Sequence, residues 1–582
     1  MPEGYEVDTN QSELPQGVRG DINTNQGYNE QNTIPIRSNR TSWKTYDSRR
    51  NEKLYHITLQ KSLKTFGKKA LNAILDELLQ MEHKKVWTPI IKDKRNLIKT
   101  IRSSIFLKEK FKPNGEFDKL KARLVAGGDQ QIRSIYIDVS SPTVATAAVF
   151  MTAAIAAKEG RKVGTCDIGG AYLNANMGDN IVYMEINPYL SALLCLINNN
   201  YKNYIMNNGT LCVKLNKAIY GCIQSAKLWY NNLSSSLYKL GFKNNLYDNC
   251  VFNKYDEHGD QITLCLHVDD LLITCVNESS IMKFVNDLRS IYKEVKHESG
   301  PNINYLGMTM NFATAGSVRI GMSNLINEYI RDYGVTGSAA CPANSNLFII
   351  SENSTLLDDD GKKLFHTKAA KLLYMAKRAR PDLDPLAAFL VTRVQSPTEE
   401  DLKKLLHGEK YLNQTITLEY VINPIDLQVG ASVDASFATH PDAKGHTGVI
   451  VTIGGATVWC GSTKQKLVCR SSAEAELVGL SDSIPKIIYC RNFMVSQGHL
   501  QDPSVVKQDN KSTIVLAEKG RSTSDRSRHI HIRYFYVKDN ILRGDIKLMY
   551  QESQDIVADI LTKPLQGELF RKLRGRLLGS IK

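Results

Sequence analysis

The sequence lacks three patterns that mark disulfide-rich, zinc-binding or membrane proteins. Its 11 cysteines are odd in number and never spaced as Cys-x-x-Cys, which argues against a disulfide framework and a zinc ribbon or knuckle. The longest apolar run, residues 143–157, spans about 15 residues, short of the roughly 20 that cross a bilayer. The polar N-terminus shows no signal peptide. We therefore expect buried free thiols in a soluble, intracellular protein with no membrane partner.

The length and charge of the chain suggest a large protein that binds nucleic acid. At 582 residues it is too long for one hydrophobic core, and its length predicts about three to four domains. The formal net charge is +14, while 42% hydrophobic and 23% charged residues are ordinary values. A positive surplus is typical of proteins that hold a phosphate backbone, although basic tails or solubility would also explain it.

Composition and periodicity divide the chain into five segments. Residues 1–52 are rich in Asn, Gln, Gly, Ser and Arg, which predicts a disordered polar tail or linker. Residues 53–343 alternate β-like runs with helices, 344–425 are polar and then mostly helical, and 426–566 begin with strands before a long helix. Residues 567–582 combine leucines with basic residues and predict a basic C-terminal helix or tail.

Individual elements are also predicted by their patterns. Apolar residues at helical spacing predict an amphipathic helix over residues 62–82, and the run 143–157 after Ser141-Pro142 predicts a buried helix. Strands or hairpins are predicted over residues 121–125, 181–184, 264–274, 427–433 and 448–459. Helix starts are expected at Ser471 and within residues 396–400.

Two adjacent carboxylates, Asp269 and Asp270, stand between two apolar runs in Leu264-Cys-Leu-His-Val-Asp-Asp-Leu-Leu-Ile273. Acidic pairs are poor strand formers and repel each other when buried, so a turn and a bound cation would both stabilise them. Asp167 also follows a short apolar run. Three strand-end carboxylates suit Mg²⁺, and such sites can hold two metals about 3.5–4 Å apart. A solvated turn is the alternative interpretation of an isolated Asp-Asp pair.

A second acidic set lies in the C-terminal part of the chain: Asp434 at a strand end, Glu476 on a helix, Asp509 after a strand, and Asp559 in Ala558-Asp-Ile-Leu-Thr-Lys563. Such a set could form another two-metal site, although an exposed helix carboxylate is the alternative for Glu476 alone. Glu474 follows Ser471 in a capping-box pattern, so we expect it to cap the helix. His529 could move protons near this site, or simply lie on a basic surface.

In their order along the chain, these segments resemble the polymerase region of Ty1/copia-type retrotransposons, a reverse transcriptase followed by ribonuclease H. The resemblance covers roughly residues 55–570. It rests on the joint order of Trp87-Thr-Pro89, Lys121-Ala-Arg-Leu-Val-Ala-Gly-Gly-Asp-Gln130, Ser141-Pro142, Asp167-Ile-Gly-Gly-Ala-Tyr-Leu173, Leu215–Trp229, His267-Val-Asp-Asp270, Tyr305-Leu-Gly307, Arg380-Pro-Asp382, Ser471–Glu476, Asp509-Asn510, Arg528-His-Ile530 and Ala558–Pro564.

The resemblance implies a multidomain fold of the α/β and α+β classes. A right-hand polymerase with fingers, palm and thumb would span residues 53–343, a helical connection 344–425, and a ribonuclease H-like α/β domain 426–566. The implied partners are an RNA template, a DNA or RNA primer, the RNA–DNA hybrid and deoxynucleoside triphosphates, with other polyprotein products as further partners. The implied location is the cytoplasm, in a virus-like particle, or the nucleus.

The resemblance also implies a role for each candidate residue. Asp167, Asp269 and Asp270 would hold the polymerase metals, and Asp434, Glu476, Asp509 and Asp559 the ribonuclease H metals, with two Mg²⁺ per site and Mn²⁺ as a substitute; His529 would assist the nuclease. Lys121 and Arg123 would grip phosphate, Tyr172 would exclude a 2′-hydroxyl, Gln224 would contact the nucleotide, and Leu306 and Gly307 would position the primer.

The chain departs from the family pattern at four positions and lacks several polyprotein parts. It has His267 where the family usually has Tyr, Cys222 in place of Leu, His531 in place of Asp, and Phe535 in place of His. It has no aspartic protease motif and no recognisable integrase core, so we expect a piece or a truncated relative of the polyprotein, with residues 1–52 as a junction remnant. The alternatives are an inactive or domesticated nucleic-acid-binding protein and a nuclease whose polymerase half is only a clamp.

Overall fold

The computed structural model describes residue 63 and residues 65–91, 99–111, 117–136, 138–351, 353–520 and 531–581. The predicted tail over residues 1–52 and His529 lie outside the described residues. Within the described ranges, no helix combines the length and the apolar character that crossing a bilayer requires.

The first half of the described chain alternates strands and helices, as its patterns predict. Its elements are α1 (Lys68–His83), β1 (Trp87–Pro89), β2 (Thr100–Phe111), β3 (Phe117–Ala126), α2 (Thr146–Glu159), β4 (Lys162–Ile168), β5 (Tyr183–Ile186), α3 (Pro188–Ile197), β6 (Leu211–Leu215), α4 (Ser225–Lys239), β7 (Lys243–Asn244), β8 (Val251–Tyr255), β9 (Gln261–His267), β10 (Asp270–Cys275), α5 (Glu278–Tyr292), β11 (Val295–Ser299), β12 (Asn302–Tyr305), β13 (Met308–Asn311), β14 (Val318–Gly321) and α6 (Ser323–Tyr333).

The second half begins with helices and ends in a mixed sheet. Its elements are α7 (Asp359–Ala376), α8 (Asp384–Arg393), α9 (Glu399–Gln414), β15 (Tyr420–Ile422), β16 (Val429–Ser436), β17 (His446–Ile453), β18 (Ala456–Lys464), α10 (Ser472–Ser496), β19 (Ser504–Gln508), α11 (Lys511–Lys519), α12 (His531–Leu542), β20 (Ile546–Tyr550), α13 (Asp559–Thr562) and α14 (Gly567–Leu577).

Two sheets lie in the predicted polymerase segment, and we name them after the regions that the resemblance predicts. The fingers sheet has the strand order β1-β6-β5-β2-β3, and the palm sheet has the order β11-β4-β10-β9-β8-β7 with antiparallel neighbours throughout. Helix α2 is buried along most of its length because nearly all its residues are apolar. It contacts palm strands β9 and β10, and it also contacts strand β18 and helix α10 in the C-terminal part of the chain. The predicted buried helix therefore joins the two halves of the molecule.

A third sheet has the strand order β12-β13-β14-β15 and takes its strands from two of the predicted segments. Its strand β15 lies in the predicted connection but pairs with β14, so the sheet crosses the predicted boundary at residue 343. Helix α9 starts at a capping box in which Thr398 and Asp401 exchange side-chain bonds, inside the predicted 396–400 window. The five segment boundaries stay predictions.

The C-terminal sheet has the order β18-β17-β16-β19-β20, with β19 parallel to both β16 and β20. Helix α10 packs on β16 and β17. Its N-cap is Ser471, whose hydroxyl accepts a bond from the Glu474 backbone N–H. The predicted fold class, multidomain α/β and α+β, is confirmed. The right-hand polymerase and the ribonuclease H-like domain stay predictions.

Candidate active sites

The palm hairpin carries the first carboxylate set. Strands β9 and β10 pair so that His267 faces Asp270, which leaves Val268 and Asp269 as a two-residue turn. Val268 has φ of 64°, a conformation that a β-branched residue adopts only under strain. The Trp229 indole N–H donates to the Val268 carbonyl oxygen at 2.5 Å. The Trp229 hydrogen bond therefore helps to hold the turn in a backbone conformation that is unfavourable for valine.

The neighbouring strand brings the third carboxylate to the same end of the sheet. Asp270 faces Asp167 of β4 in antiparallel register, and residues directly opposite each other share a sheet face. The Ile168 N–H donates to the Asp269 carbonyl oxygen at 3.1 Å. The structure thus brings Asp167, Asp269 and Asp270 together at one strand end, as the sequence predicts.

Charge is concentrated at this end of the palm. Burial, with the nearby Asp167 carboxylate adding to it, raises the pKa of Asp269, and Arg123 and Lys121 oppose that rise. A raised carboxyl pKa means that the ionised form lacks compensating positive charge, which a cation would supply. The set is an oxygen-only donor group, the kind that Mg²⁺ prefers.

Basic and aromatic residues line the approach to Asp269. Lys121 and Arg123 alternate with buried residues along β3, so both project from one face. The Arg123 guanidinium lies 5.0 Å from the Tyr220 ring centre, and Tyr172 packs edge-on against the same ring at 4.7 Å. Tyr172 is only 6% exposed. Tyr220, to which no single sequence pattern assigns a role, contacts both Arg123 and Tyr172.

Gln224 has one bonded and one unbonded end. Its Oε1 accepts a bond from Gln131 Nε2 at 3.1 Å, while its buried Nε2 has no hydrogen-bond partner among the described residues. Gln131 is itself fixed, because its Oε1 accepts the Ile223 N–H and its Nε2 donates to the Tyr136 hydroxyl. A buried amide donor without a partner is costly, so this nitrogen suits a ligand oxygen. Sequence reasoning missed Gln131, which lies next to a quoted motif.

Leu306 and Gly307 form the turn between β12 and β13, where Tyr305 faces Met308. They lie in the segment that follows the palm sheet, and Leu306 is buried. The structure places them at a tight hairpin end, and their expected role in positioning the primer stays a prediction.

The C-terminal sheet carries the second carboxylate set. Asp434 lies on β16, Glu476 on α10 and Asp509 directly after β19, and their ligand oxygens lie within 4.8 Å of one another. Among the described residues this is the one group of three or more potential ligands with such spacing; Asp167, Asp269 and Asp270 do not meet it. Parallel neighbours β16 and β19 explain why Asp434 and Asp509 converge.

Burial makes this cluster electrostatically unfavourable by itself. Asp434 and Glu476 are both nearly inaccessible. Burial, followed by repulsion from Asp434 and Asp509, raises the pKa of Glu476. Burial also raises the pKa of Asp434, with the Lys563 ammonium opposing and the Asp559 carboxylate adding to the effect. Gln508, which sequence reasoning missed, donates to Glu476 Oε2 at 3.2 Å.

The fourth predicted ligand, Asp559, lies beside this cluster but outside the three-carboxylate group. Its Oδ1 is bonded to the ammonium of Lys563, which also lies 3.7 Å from Asp434 Oδ2. The Thr562 hydroxyl donates to Asp434. The sequence signal for Lys563 is its position four residues after Asp559 on one helical face, which sequence reasoning did not use.

Comparison with known proteins shows what the chain is similar to. Residues 84–345 match the family model described as Reverse transcriptase (RNA-dependent DNA polymerase). The Transposon Ty1-BL Gag-Pol polyprotein of Saccharomyces cerevisiae is 26% identical over 609 aligned positions, which cover 95% of this chain and 33% of that protein. These comparisons support the resemblance to the Ty1/copia-type retrotransposon Pol proteins that the sequence motifs predict.

Further relatives have similar coverage. The Transposon Ty1-ER2 Gag-Pol polyprotein of the same yeast is 25% identical, again over 95% of this chain and 33% of its own length. The chain therefore spans about a third of the length of the curated relatives it matches. A solved structure, the foamy viral protease-reverse transcriptase in complex with double-stranded DNA, aligns with 84% of this chain and 70% of that chain, at 12% identity and a TM-score of 0.49.

Proposed function

We propose that this chain is an RNA-directed DNA polymerase that acts in retrotransposon replication. The observation that carries the proposal is the register of the palm sheet, in which Asp270 faces Asp167 across β10 and β4 while the strained Val268–Asp269 turn closes the hairpin. The reverse transcriptase family match over residues 84–345 supports it.

The residues around this hairpin suit the parts of a nucleotide-transfer site. Asp167, Asp269 and Asp270 would hold two Mg²⁺, or Mn²⁺ as a substitute, which would activate the primer 3′-hydroxyl and neutralise the triphosphate. Lys121 and Arg123 would bind phosphate oxygens. The Gln224 amide nitrogen would donate to the incoming nucleotide, and Tyr172, held by Tyr220, would exclude a 2′-hydroxyl.

The test is primer extension on a defined RNA template with Mg²⁺ and deoxynucleotides. We expect extension by the parent chain and none by Asp269→Asn/Asp270→Asn. The matched control is Asp260→Asn, because Asp260 is also half-buried but lies at the opposite end of β9; it should extend normally. Template binding without extension by the parent chain would favour the inactive or domesticated alternative, which the His267 departure motivates.

We also propose a ribonuclease H activity for the C-terminal sheet. The convergence of Asp434, Glu476 and Asp509 within 4.8 Å supports it, since two-metal nucleases use such clusters. His529 stays a proposed proton carrier. The substrate would be the RNA strand of the RNA–DNA hybrid, recognised through its shape and 2′-hydroxyls rather than its sequence.

The nuclease proposal is tested with a labelled hybrid and no nucleotides. Asp434→Asn should abolish cleavage, while Asp442→Asn, an exposed acid on the loop after β16, should leave it unchanged. Polymerase activity that persists in Asp434→Asn would also exclude the alternative in which the polymerase half is only a clamp. Cleavage that survives in Asp434→Asn would contradict the assignment of this cluster. An intracellular place of action, in a virus-like particle or the nucleus, remains part of the proposal.

A further inference from the structure

The turn between β12 and β13 has a backbone shape that leucine does not adopt readily. Tyr305 faces Met308, so Leu306 and Gly307 are the two central residues of the hairpin turn. Their φ angles are 52° and 76°, and two-residue hairpin turns with both φ positive favour Asn or Gly at the first position. Because Leu306 pays a steric penalty there, contacts from elsewhere must hold the turn in place.

One of these contacts comes from the side chain of Tyr374 in α7. Its hydroxyl donates to the Leu306 carbonyl oxygen at 3.0 Å. The same hydroxyl oxygen would lie 2.8 Å from a Cβ atom added to Gly307, so it lies directly against the turn. The Tyr374 hydroxyl therefore lies against both central residues of the turn.

Arg378, one helical turn after Tyr374, fixes the tyrosine ring in this position. Its guanidinium carbon lies 3.7 Å from the ring centre, and its Nη1 donates to the Tyr374 carbonyl oxygen at 3.2 Å. Arg378 is 8% exposed. A buried guanidinium stacked on an aromatic face limits the ring to one orientation.

The residue directly before the turn is attached to the palm sheet. The Tyr305 hydroxyl donates to the Cys265 carbonyl oxygen at 2.8 Å, and Cys265 lies on β9, two residues before His267. A continuous set of contacts thus runs from α7 through Tyr374 and the turn to the strand that carries the Asp269 hairpin. The turn is fixed with respect to the palm carboxylates.

We propose that Tyr374 is a positioning residue that holds the Leu306–Gly307 turn, and through it the primer 3′ end, in line with Asp269 and Asp270. This rests on the proposed polymerase function and on the primer role expected for the turn. Without the hydroxyl, the turn gains freedom and the 3′-hydroxyl is aligned less often. The loss therefore falls on the rate of nucleotide addition, because no nucleotide contact is removed.

The test compares Tyr374→Phe with Tyr230→Phe in single-turnover nucleotide addition on an RNA template. Tyr230 is the matched control, because this residue is also half-buried and its hydroxyl also donates to a backbone carbonyl oxygen, that of Asn249, at 2.8 Å. Tyr374→Phe should lower the maximal addition rate about fivefold to tenfold, the effect of one hydrogen bond. Nucleotide affinity should stay within about twofold of the parent value, and Tyr230→Phe should match the parent.

Three outcomes would overturn the inference: a parental addition rate in Tyr374→Phe, a loss confined to nucleotide affinity, or an equal loss of hybrid cleavage with a lower unfolding midpoint. Hydrogen exchange of the peptide containing Leu306 and Gly307 separates this inference from the proposed function. If the parent chain extends no primer, the proposed function fails. Exchange that is no faster in Tyr374→Phe than in the parent would then also reject the role of Tyr374 in holding the turn.

Discussion

Replacing Glu476 with glutamine tests the second carboxylate cluster without any measurement of activity. The change replaces a titratable carboxyl with a permanently neutral amide in a buried three-carboxylate cluster whose oxygens lie within 4.8 Å of one another. It keeps an acceptor oxygen for the Gln508 amide that bonds Glu476. The variant therefore isolates the charge of Glu476 from its packing and its hydrogen bond.

The magnitude follows from Coulomb's law. Two unit charges 4.8 Å apart repel by about 3.5 kcal/mol at an effective dielectric constant of about 20. Partial protonation of the cluster reduces the repulsion that is present, so we expect Glu476→Gln to stabilise the metal-free protein by about 2 kcal/mol. In the parent protein, Mg²⁺ at a hundred times its dissociation constant should add about 2.7 kcal/mol, and the variant should lose most of this gain.

The pH dependence has a definite sign. Burial and the neighbouring carboxylates raise the pKa of Glu476, so the folded protein keeps a proton that the unfolded chain has lost above the ordinary carboxylate range. Unfolding then releases a proton, and the free energy of unfolding of the metal-free parent falls as pH rises from the ordinary range through the raised pKa. Glu476→Gln should flatten this part of the profile.

The assay is urea unfolding with a metal chelator or with Mg²⁺, across a series of pH values. Glu474→Gln is the matched control on the same helix, because Glu474 is equally buried and accepts a bond from the Arg470 N–H but lies outside the three-carboxylate group. It should keep the parental response to Mg²⁺. Lower stability of metal-free Glu476→Gln would contradict repulsion among the three carboxylates. An undiminished response to Mg²⁺ would contradict a role for Glu476 in binding the ion.

Three further changes have defined outcomes. Asp382→Asn should lower the free energy of unfolding by about 3–5 kcal/mol, because it leaves the fully buried Arg380 guanidinium without its carboxylate partner. A loss below about 1 kcal/mol in urea unfolding would contradict this. Lys563→Met should tighten Mg²⁺ binding measured by calorimetry, because the ammonium lies against Asp559 and Asp434; weaker binding would count against that placement. Gly221→Ala should destabilise the fold, since an added Cβ would lie 2.0 Å from the Ala126 carbonyl oxygen at φ of 95°, and an unchanged unfolding midpoint would reject it.

The elements with strong local patterns were predictable from the sequence. The apolar run over residues 143–157 became helix α2, and the run over residues 264–274 became strands β9 and β10 around the Asp269 turn. Each pattern consists of residues that are close together in the sequence, so local propensity and burial predict the same helix or strand. Helix α14 lies within the predicted segment 567–582 and buries Phe570, Leu573 and Leu577.

The supporting residues of the sites were not predictable in the same way. Gln131 contacts Gln224, and Tyr374 contacts Leu306, but each pair comes together only when distant parts of the chain fold. Lys563 lies close to Asp559 in sequence, yet its approach to Asp434 depends on how α13 packs on β16. A carboxylate among apolar residues is noticeable in a sequence because buried charge is rare. Amides, hydroxyls and ammonium groups are common on any surface, so their positions in the sequence give no comparable signal.

The most direct test of two separate active sites in one chain is a coupled reaction with a labelled RNA template, a DNA primer, deoxynucleotides and Mg²⁺. We expect the parent chain to make DNA and to shorten the RNA. Asp269→Asn should make no DNA but still cleave a preformed hybrid, and Asp434→Asn should make DNA and leave the RNA intact. Loss of both activities in each variant, despite parental unfolding midpoints, would contradict the assignment of the two carboxylate sets to independent sites.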